Sequence, residues 1–185
     1  MLCGSGGGEK GNKKHHTVAF CEKDSLCRKI LKNNMRQGRL DNAPVFEDVH
    51  DLSTKVLKTL GPEILLAGFP CQDISVANVQ GQGVVGGERS SLFYELMRIA
   101  DECGSIKVLF LENSANILNR GVGKVLQALH ARGFKVVHCV HSAKQVGAPH
   151  LRRRWFAMAV RNMNKKDMER NLCNIDFRHL AYDWS

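Results

Sequence analysis

The sequence predicts an α/β fold: a largely parallel sheet with helices on both faces. Three observations predict it. Short apolar runs alternate with amphipathic segments along the whole chain. Glycine and small polar residues mark the changes of period. Three of the apolar runs deliver a chemically able residue just past their ends, at Glu22, Cys71 and Glu112. The carboxyl ends of strands are where open α/β sheets bind ligands.

Thr17–Cys21 reads as the first strand, and Asp24 as the N-cap of a helix to about Asn33, with Leu26, Ile30 and Leu31 on one face. Residues 51–60 form a second short helix and 63–68 a second, buried strand. That strand stops at Gly68-Phe69-Pro70 and offers Cys71; Pro70 fixes its own backbone angle and restricts Phe69, giving the thiol a defined direction. From Gln72 to Arg89 the chain is glycine-rich without period, a candidate lid. Ser90 or Ser91 caps a helix to Cys103 that stops at Gly104. Ile106–Leu111 is a strand ending at Glu112-Asn113, Val122–Arg132 a helix stopped by Gly133, and Phe134–His141 and Trp155–Val160 the last two strands. Residues 161–185 are polar and weakly periodic, and no internal repeat is present.

A chain of 185 residues suits one domain with a sizeable core, and 43% hydrophobic with 24% charged residues is ordinary for a globular protein. No apolar run approaches the ~20 residues that span a bilayer, so no membrane partner is expected. The opening Met-Leu-Cys-Gly-Ser-Gly-Gly-Gly lacks the apolar core of a secretory signal. Seven cysteines, an odd number without paired spacing, point to a reducing, intracellular setting. Cys21 and Cys27 are too far apart for half of a zinc site, and no metal is expected. The net charge is +9, with nine Lys/Arg against three Asp/Glu in residues 1–40 and eight against two in 144–170. Two basic ends around a neutral centre suit a polyanion such as nucleic acid.

Four features converge on one site. Glu22 follows the first strand, where an acid can accept hydrogen bonds from ribose hydroxyls. Cys71 follows the second strand, Glu112 and Asn113 the third. The fourth is Gly147-Ala148-Pro149-His150-Leu151-Arg152-Arg153-Arg154-Trp155, which, if extended, sets His150, Arg152 and Arg154 on one face. Like-facing basic side chains beside a thiol and a carboxylate suit the holding of a base or phosphate.

Together these residues resemble the DNA (cytosine-5) methyltransferase family. Its Pro-Cys-Gln motif matches Pro70-Cys71-Gln72. Its Glu-Asn-Val motif matches Glu112-Asn113-Ser114, with Ser for Val. Its Gln-x-Arg-x-Arg motif matches His150 to Arg154, with His for Gln. Arg89-Ser90-Ser91-Leu92-Phe93 looks like the family's helix start after a mobile loop. Order and spacing agree over roughly residues 16–160.

The resemblance implies a Rossmann-like, S-adenosylmethionine-dependent sheet over 16–160, preceded at 1–15 by a flexible or degenerate cofactor loop. Residues 161–185 would lead toward a target-recognition region that is missing here. It implies that the Cys71 thiolate adds to carbon 6 of a cytosine flipped out of double-stranded DNA, making carbon 5 nucleophilic toward the cofactor's methyl group; loss of the carbon 5 proton and expulsion of Cys71 complete the cycle. Glu112 would hydrogen-bond or protonate ring nitrogen 3. Arg152 and Arg154 would hold the base oxygen. Gly4, Gly6, Glu22, Asp48 and Pro70 would line the cofactor, and Gln72, Ser75, Asn113 and His150 the target. The short carboxyl end leaves two alternatives beside the complete enzyme, a complementing carboxyl-terminal chain and a silent descendant that binds nucleic acid or a partner; the resemblance adds a third, an RNA substrate, since one branch of the family methylates transfer RNA.

Overall fold

The computed structural model describes residues 2–5, 15–69 and 92–161. Gly6, Pro70, Cys71, Gln72, Ser75, the glycine-rich segment, Ser90 and Ser91, and the stretch after Arg161 lie outside the described residues.

The described chain forms one seven-stranded sheet. In order the elements are β1 (Leu2–Ser5), β2 (His15–Cys21), α1 (Ser25–Arg36), β3 (Val45–Phe46), a 3-10 turn (Val49–Asp51), α2 (Thr54–Leu60) and β4 (Ile64–Gly68). Then come α3 (Leu92–Glu102), β5 (Val108–Ser114), α4 (Ile117–Arg120), α5 (Val122–His130), β6 (Lys135–Ser142), a second 3-10 turn (Ala143–Val146) and β7 (Arg153–Val160). The spatial order is β3-β2-β1-β4-β5-β7-β6.

The expectation of a largely parallel sheet holds for strand direction and needs correction for pairing. β2 with β3, and β4 with β5, are parallel, whereas β1 runs antiparallel to β2 and β4, and β7 to β5 and β6. Five strands therefore point one way and two, β1 and β7, the other. The stretch expected to be flexible over 1–15 contains β1. In the antiparallel β1–β2 pair Ser5 lies directly opposite His15.

Helices lie on both faces. Parallel crossovers are right-handed. The β2–β3 connection moves outward one way and the β4–β5 connection the other, so α1 and α3 sit on opposite faces. The α3 face holds the core: Leu65, Leu109, Leu111, Trp155, Ala157 and Ala159 from the sheet pack with Phe93, Met97 and Ile99 of α3, Val125 and Leu129 of α5, and Leu57 of α2. The alternate residues Leu66, Phe110, Phe156 and Met158 face the other way and are half-buried. The α1 helix buries no side chain fully, and Leu26 and Ile30 are exposed.

Local chemistry sets the helix ends where the sequence places them. Asp24 accepts from the Cys27 N–H at 2.8 Å as N-cap of α1. Ser53 caps α2, which closes on Gly61 in the left-handed region at φ 55°. Gly133, at φ 76°, turns the chain from α5 into β6.

Candidate functional site

The centre of the site is set by strand register. In the parallel β4–β5 pair, Gly68 lies opposite Glu112. In the antiparallel β5–β7 pair, Glu112 lies opposite Phe156 and Ser114 opposite Arg154. Arg154 is thus the diagonal neighbour of Glu112 on the same face, within reach of a long side chain, and its Nε forms an ion pair with Glu112 Oε1 at 2.7 Å. The Glu112 carboxylate also crosses toward β4. A Cβ on Gly68 would come within 3.1 Å of Glu112 Oε2, so this position works as glycine because the carboxylate fills the space.

Asn113 points to the opposite face, and its placement differs from the expected contact with the target. It is 2% exposed. Its Nδ2 donates to the Phe69 carbonyl at 2.7 Å and its Oδ1 accepts from the Ser114 N–H at 2.7 Å. Asn113 thus braces the chain at Phe69, two residues ahead of Cys71.

The expected shared face of His150, Arg152 and Arg154 is not formed. Extended structure begins only at Arg153, because Ser142 and Gln145 close a capping box and Gly147, at φ 94°, turns the chain. His150 and Arg152 lie on the turn before β7, both exposed, with the Arg152 N–H directed at His150 Nδ1 at 3.4 Å. Of the three, Arg154 alone meets Glu112. Leu151, between them, is 71% exposed.

A cleft of about 590 Å³ opens beside this centre, between the carboxyl ends of β2, β3 and β4 and the α3 helix. Glu22 and Asp48 line its polar side; Phe69, Leu92 and Leu96 line its apolar side. Glu22 Oε1 accepts from the Asp24 N–H at 2.9 Å, and Arg28 donates to the Glu22 carbonyl at 3.1 Å, fixing the turn that carries the acid. Hydrogen bonds from the His50 backbone N–H and ring, with the Lys23 charge nearby, hold the Asp48 carboxyl below its ordinary value. Cys21 also lines the cleft, and burial pushes its thiol above its ordinary value.

Gly4 does not reach this cleft. It pairs with His16, near the amino end of β2, whereas Glu22 follows its carboxyl end. The end of β1 at Ser5 therefore lies at the amino end of β2, opposite His15. The cause is the reversed β1: the strand that should point its end at the cleft points away from it.

Sequence reasoning missed His50, Glu95 and Arg98. Arg98 binds Glu95 at 2.7 Å and Glu102 at 2.9 Å, and donates to the carbonyls of Leu52 and Val49. The i, i+3 and i, i+4 spacings around Arg98 were a readable signal; its reach to the 3-10 turn was not.

Comparison with known proteins agrees with this geometry. The family model for C-5 cytosine-specific DNA methylase matches residues 1–181. The chain is 32% identical over 173 residues to the type II methyltransferase M.CviJI of Paramecium bursaria Chlorella virus IL3A, covering 90% of this chain and 42% of that enzyme. It is 36% identical over 117 residues to the type II methyltransferase M.MspI of Moraxella sp, covering 60% of this chain and 28% of that enzyme. The chain thus spans less than half the length of these relatives. Among solved structures, Spodoptera frugiperda DNMT2 (E260A/E261A/K263A mutant) superposes with a TM-score of 0.64 at 20% identity, over 81% of this chain and 44% of that one. The S. pombe Dnmt2 methyltransferase gives 0.61 at 17% identity, over 80% and 44%. Those two likenesses concern the fold. With the family match running nearly end to end, and the Glu112–Arg154 pair set beside the segment that leads to Cys71, the chain belongs to the C-5 cytosine-specific DNA methylase family.

Proposed function

We propose that the chain carries the catalytic centre of a DNA cytosine-5 methyltransferase acting on a flipped-out cytosine in double-stranded DNA. The observation that supports it most is the Glu112–Arg154 pair, 2.7 Å across β5 and β7 and directly opposite Gly68. Cys71 adds to carbon 6 of the base. Glu112 meets ring nitrogen 3 and the exocyclic amine, held in orientation by Arg154. Arg154 and Arg152 bind the base oxygen and stabilise the charge that develops there. Asn113 keeps the approach to Cys71 fixed through the Phe69 carbonyl.

The cleft fits S-adenosylmethionine in its nucleoside portion. In this reading Glu22 accepts from the ribose hydroxyls and Asp48 from the base amine, supported by both acids lining a cleft whose apolar wall suits a purine ring. Bound there, the cofactor supplies an electrophilic methyl group. Gly4 stands apart from this fit, and that favours a second reading: turnover needs a complementing carboxyl-terminal chain that completes the cofactor and DNA sites. The basic turn at His150, Arg152 and Arg153 is exposed and suited to DNA phosphates.

The test uses duplex DNA containing 5-fluorocytosine and labelled S-adenosylmethionine. The expected result is a covalent protein–DNA adduct that is lost in Cys71→Ala. An adduct that persists in Cys71→Ala overturns the assignment of the nucleophile. An adduct formed only when a carboxyl-terminal partner chain is added selects the second reading.

A further inference from the structure

His50 has no part in the chemistry above, yet it stands in the cleft wall between two carboxylates. Its backbone N–H and its ring Nδ1 both meet Asp48 Oδ1, at 3.0 and 2.5 Å. Its Nε2 faces Glu95 Oε1 at 3.8 Å. An ionised carboxylate only accepts, so Nδ1 must carry a hydrogen in this contact.

The carboxylate behind the imidazole is itself firmly held, although the 3.8 Å that separates it from Nε2 is an ion-pair distance and not a hydrogen bond. Glu95 comes from α3 and is 7% exposed. Its other oxygen is held by Arg98 Nε at 2.7 Å, and Arg98 is held in turn by Glu102 and by the Leu52 and Val49 carbonyls. The other oxygen of Asp48 has an exposed cation near it. Lys23 Nζ stands 3.9 Å from Oδ2 on a side chain that is 89% exposed. One oxygen of Asp48 is therefore fixed by two donors from His50, and the other is left for whatever enters the cleft that Asp48 lines.

A fixed carboxylate discriminates between purines by an elementary rule. The 6-amino group of adenine is a donor and pairs with it. The 6-oxo group of hypoxanthine is an acceptor and is repelled. A carboxylate free to rotate away loses that discrimination, since it can avoid the wrong ligand by turning to water. We propose that His50 is the positioning residue for base selectivity: by holding Asp48 against the α3 support, it makes the cleft prefer a 6-aminopurine nucleoside. The proposal rests on the reading of this cleft as the nucleoside part of a cofactor site.

Calorimetric titration of the full chain with adenosine and with inosine tests it. Wild type is expected to prefer adenosine by about tenfold or more, since a site built to hydrogen-bond an amine rejects the analogue lacking it. His50→Ala is expected to cut that ratio at least about fivefold while inosine affinity stays within about twofold, the loss falling on the oriented hydrogen bond alone. His50→Asn, whose side-chain amide keeps a donor near the Nδ1 position, is expected to retain the ratio. His50→Phe, which keeps the ring bulk without the donor, carries the same expectation as alanine if the alanine variant does not fold. Equal losses for both nucleosides in His50→Ala or His50→Phe mean a merely structural residue and overturn the proposal, as does an unchanged ratio. If wild type binds neither nucleoside, or if Asp48→Ala leaves adenosine binding unchanged, the cofactor reading itself fails and this inference fails with it.

Discussion

Arg154 and Glu112 hold each other in a geometry that neither keeps alone. Arg154→Ala removes the Nε donor from Glu112 and a cation from the base site, and is expected to lower the methyl-transfer rate by about 10²–10³, the range for losing one oriented charge-stabilising donor. Arg154→Lys should recover little, because a point charge does not reproduce the planar donor. Single-turnover rates on duplex DNA check both. Asn113 tests a different property. Asn113→Ala leaves the Phe69 carbonyl without its donor in a buried setting, at a cost of about 1–3 kcal/mol. Urea unfolding should show that loss, and the rate should fall further than stability predicts, because the affected carbonyl lies two residues ahead of Cys71.

Elements are joined here by a few charged side chains at their ends. Arg161 closes the end of β7: its Nε donates to the Ile106 carbonyl at 3.1 Å, its Nη2 to the Ala100 carbonyl, and its guanidinium lies 4.6 Å from the centre of the Phe134 ring. Arg161→Ala is expected to cost about 1–3 kcal/mol in thermal or urea unfolding by stranding those carbonyls. The acid limb of stability has identifiable owners. The Cys27 N–H holds the Asp24 carboxyl below its ordinary 3.8, and the Thr54 hydroxyl, with Arg98, holds Glu102 below its ordinary 4.5. Depressed folded values mean that the stabilisation is present above the ordinary values and is lost as pH falls through the folded ones. Melting temperature should therefore hold steady down to about pH 5 and drop below about pH 4. Asp24→Asn combined with Glu102→Gln should flatten that drop.

For the molecule as a whole, the strands β2, β4, β5, β6 and β7 and the helices α1, α3 and α5 were legible to within a few residues. Apolar runs, caps such as Asp24 and stops such as Gly133 act locally, and local signals are what a sequence displays. Glu112 and Arg154 were expected in one site, but their direct pairing was not legible, because it follows from the antiparallel β5–β7 register and not from the parallel sheet expected. Four further things were not legible. A four-residue strand full of Gly and Ser carries no period, so β1 read as a linker and its reversed direction was invisible. The two-residue β3 is shorter than any periodicity. His150 and Arg152 were placed with Arg154 by assuming extension, whereas a capping box and Gly147 delay the strand until Arg153. His50 could not be found from spacing, since its role arises from a helix more than 40 residues onward.

The position of β1 has a mechanical consequence. It is the link, within the described sheet, between β3–β2, which bear the cleft carboxylates, and β4–β5–β7–β6, which bear Glu112 and Arg154. On the β4 side that link amounts to two paired positions, Leu2 with Leu65 and Cys3 with Ile64. The sheet therefore has a seam, and the seam divides the molecule along its chemistry, with the two residue sets on opposite banks. Arg98 is a further fastening among the described residues, reaching from α3 on one bank to the Val49 and Leu52 carbonyls on the other. Amide hydrogen exchange should find β2 opening more readily than β5. Arg98→Ala should widen that gap, loosening one bank from the other before either unfolds.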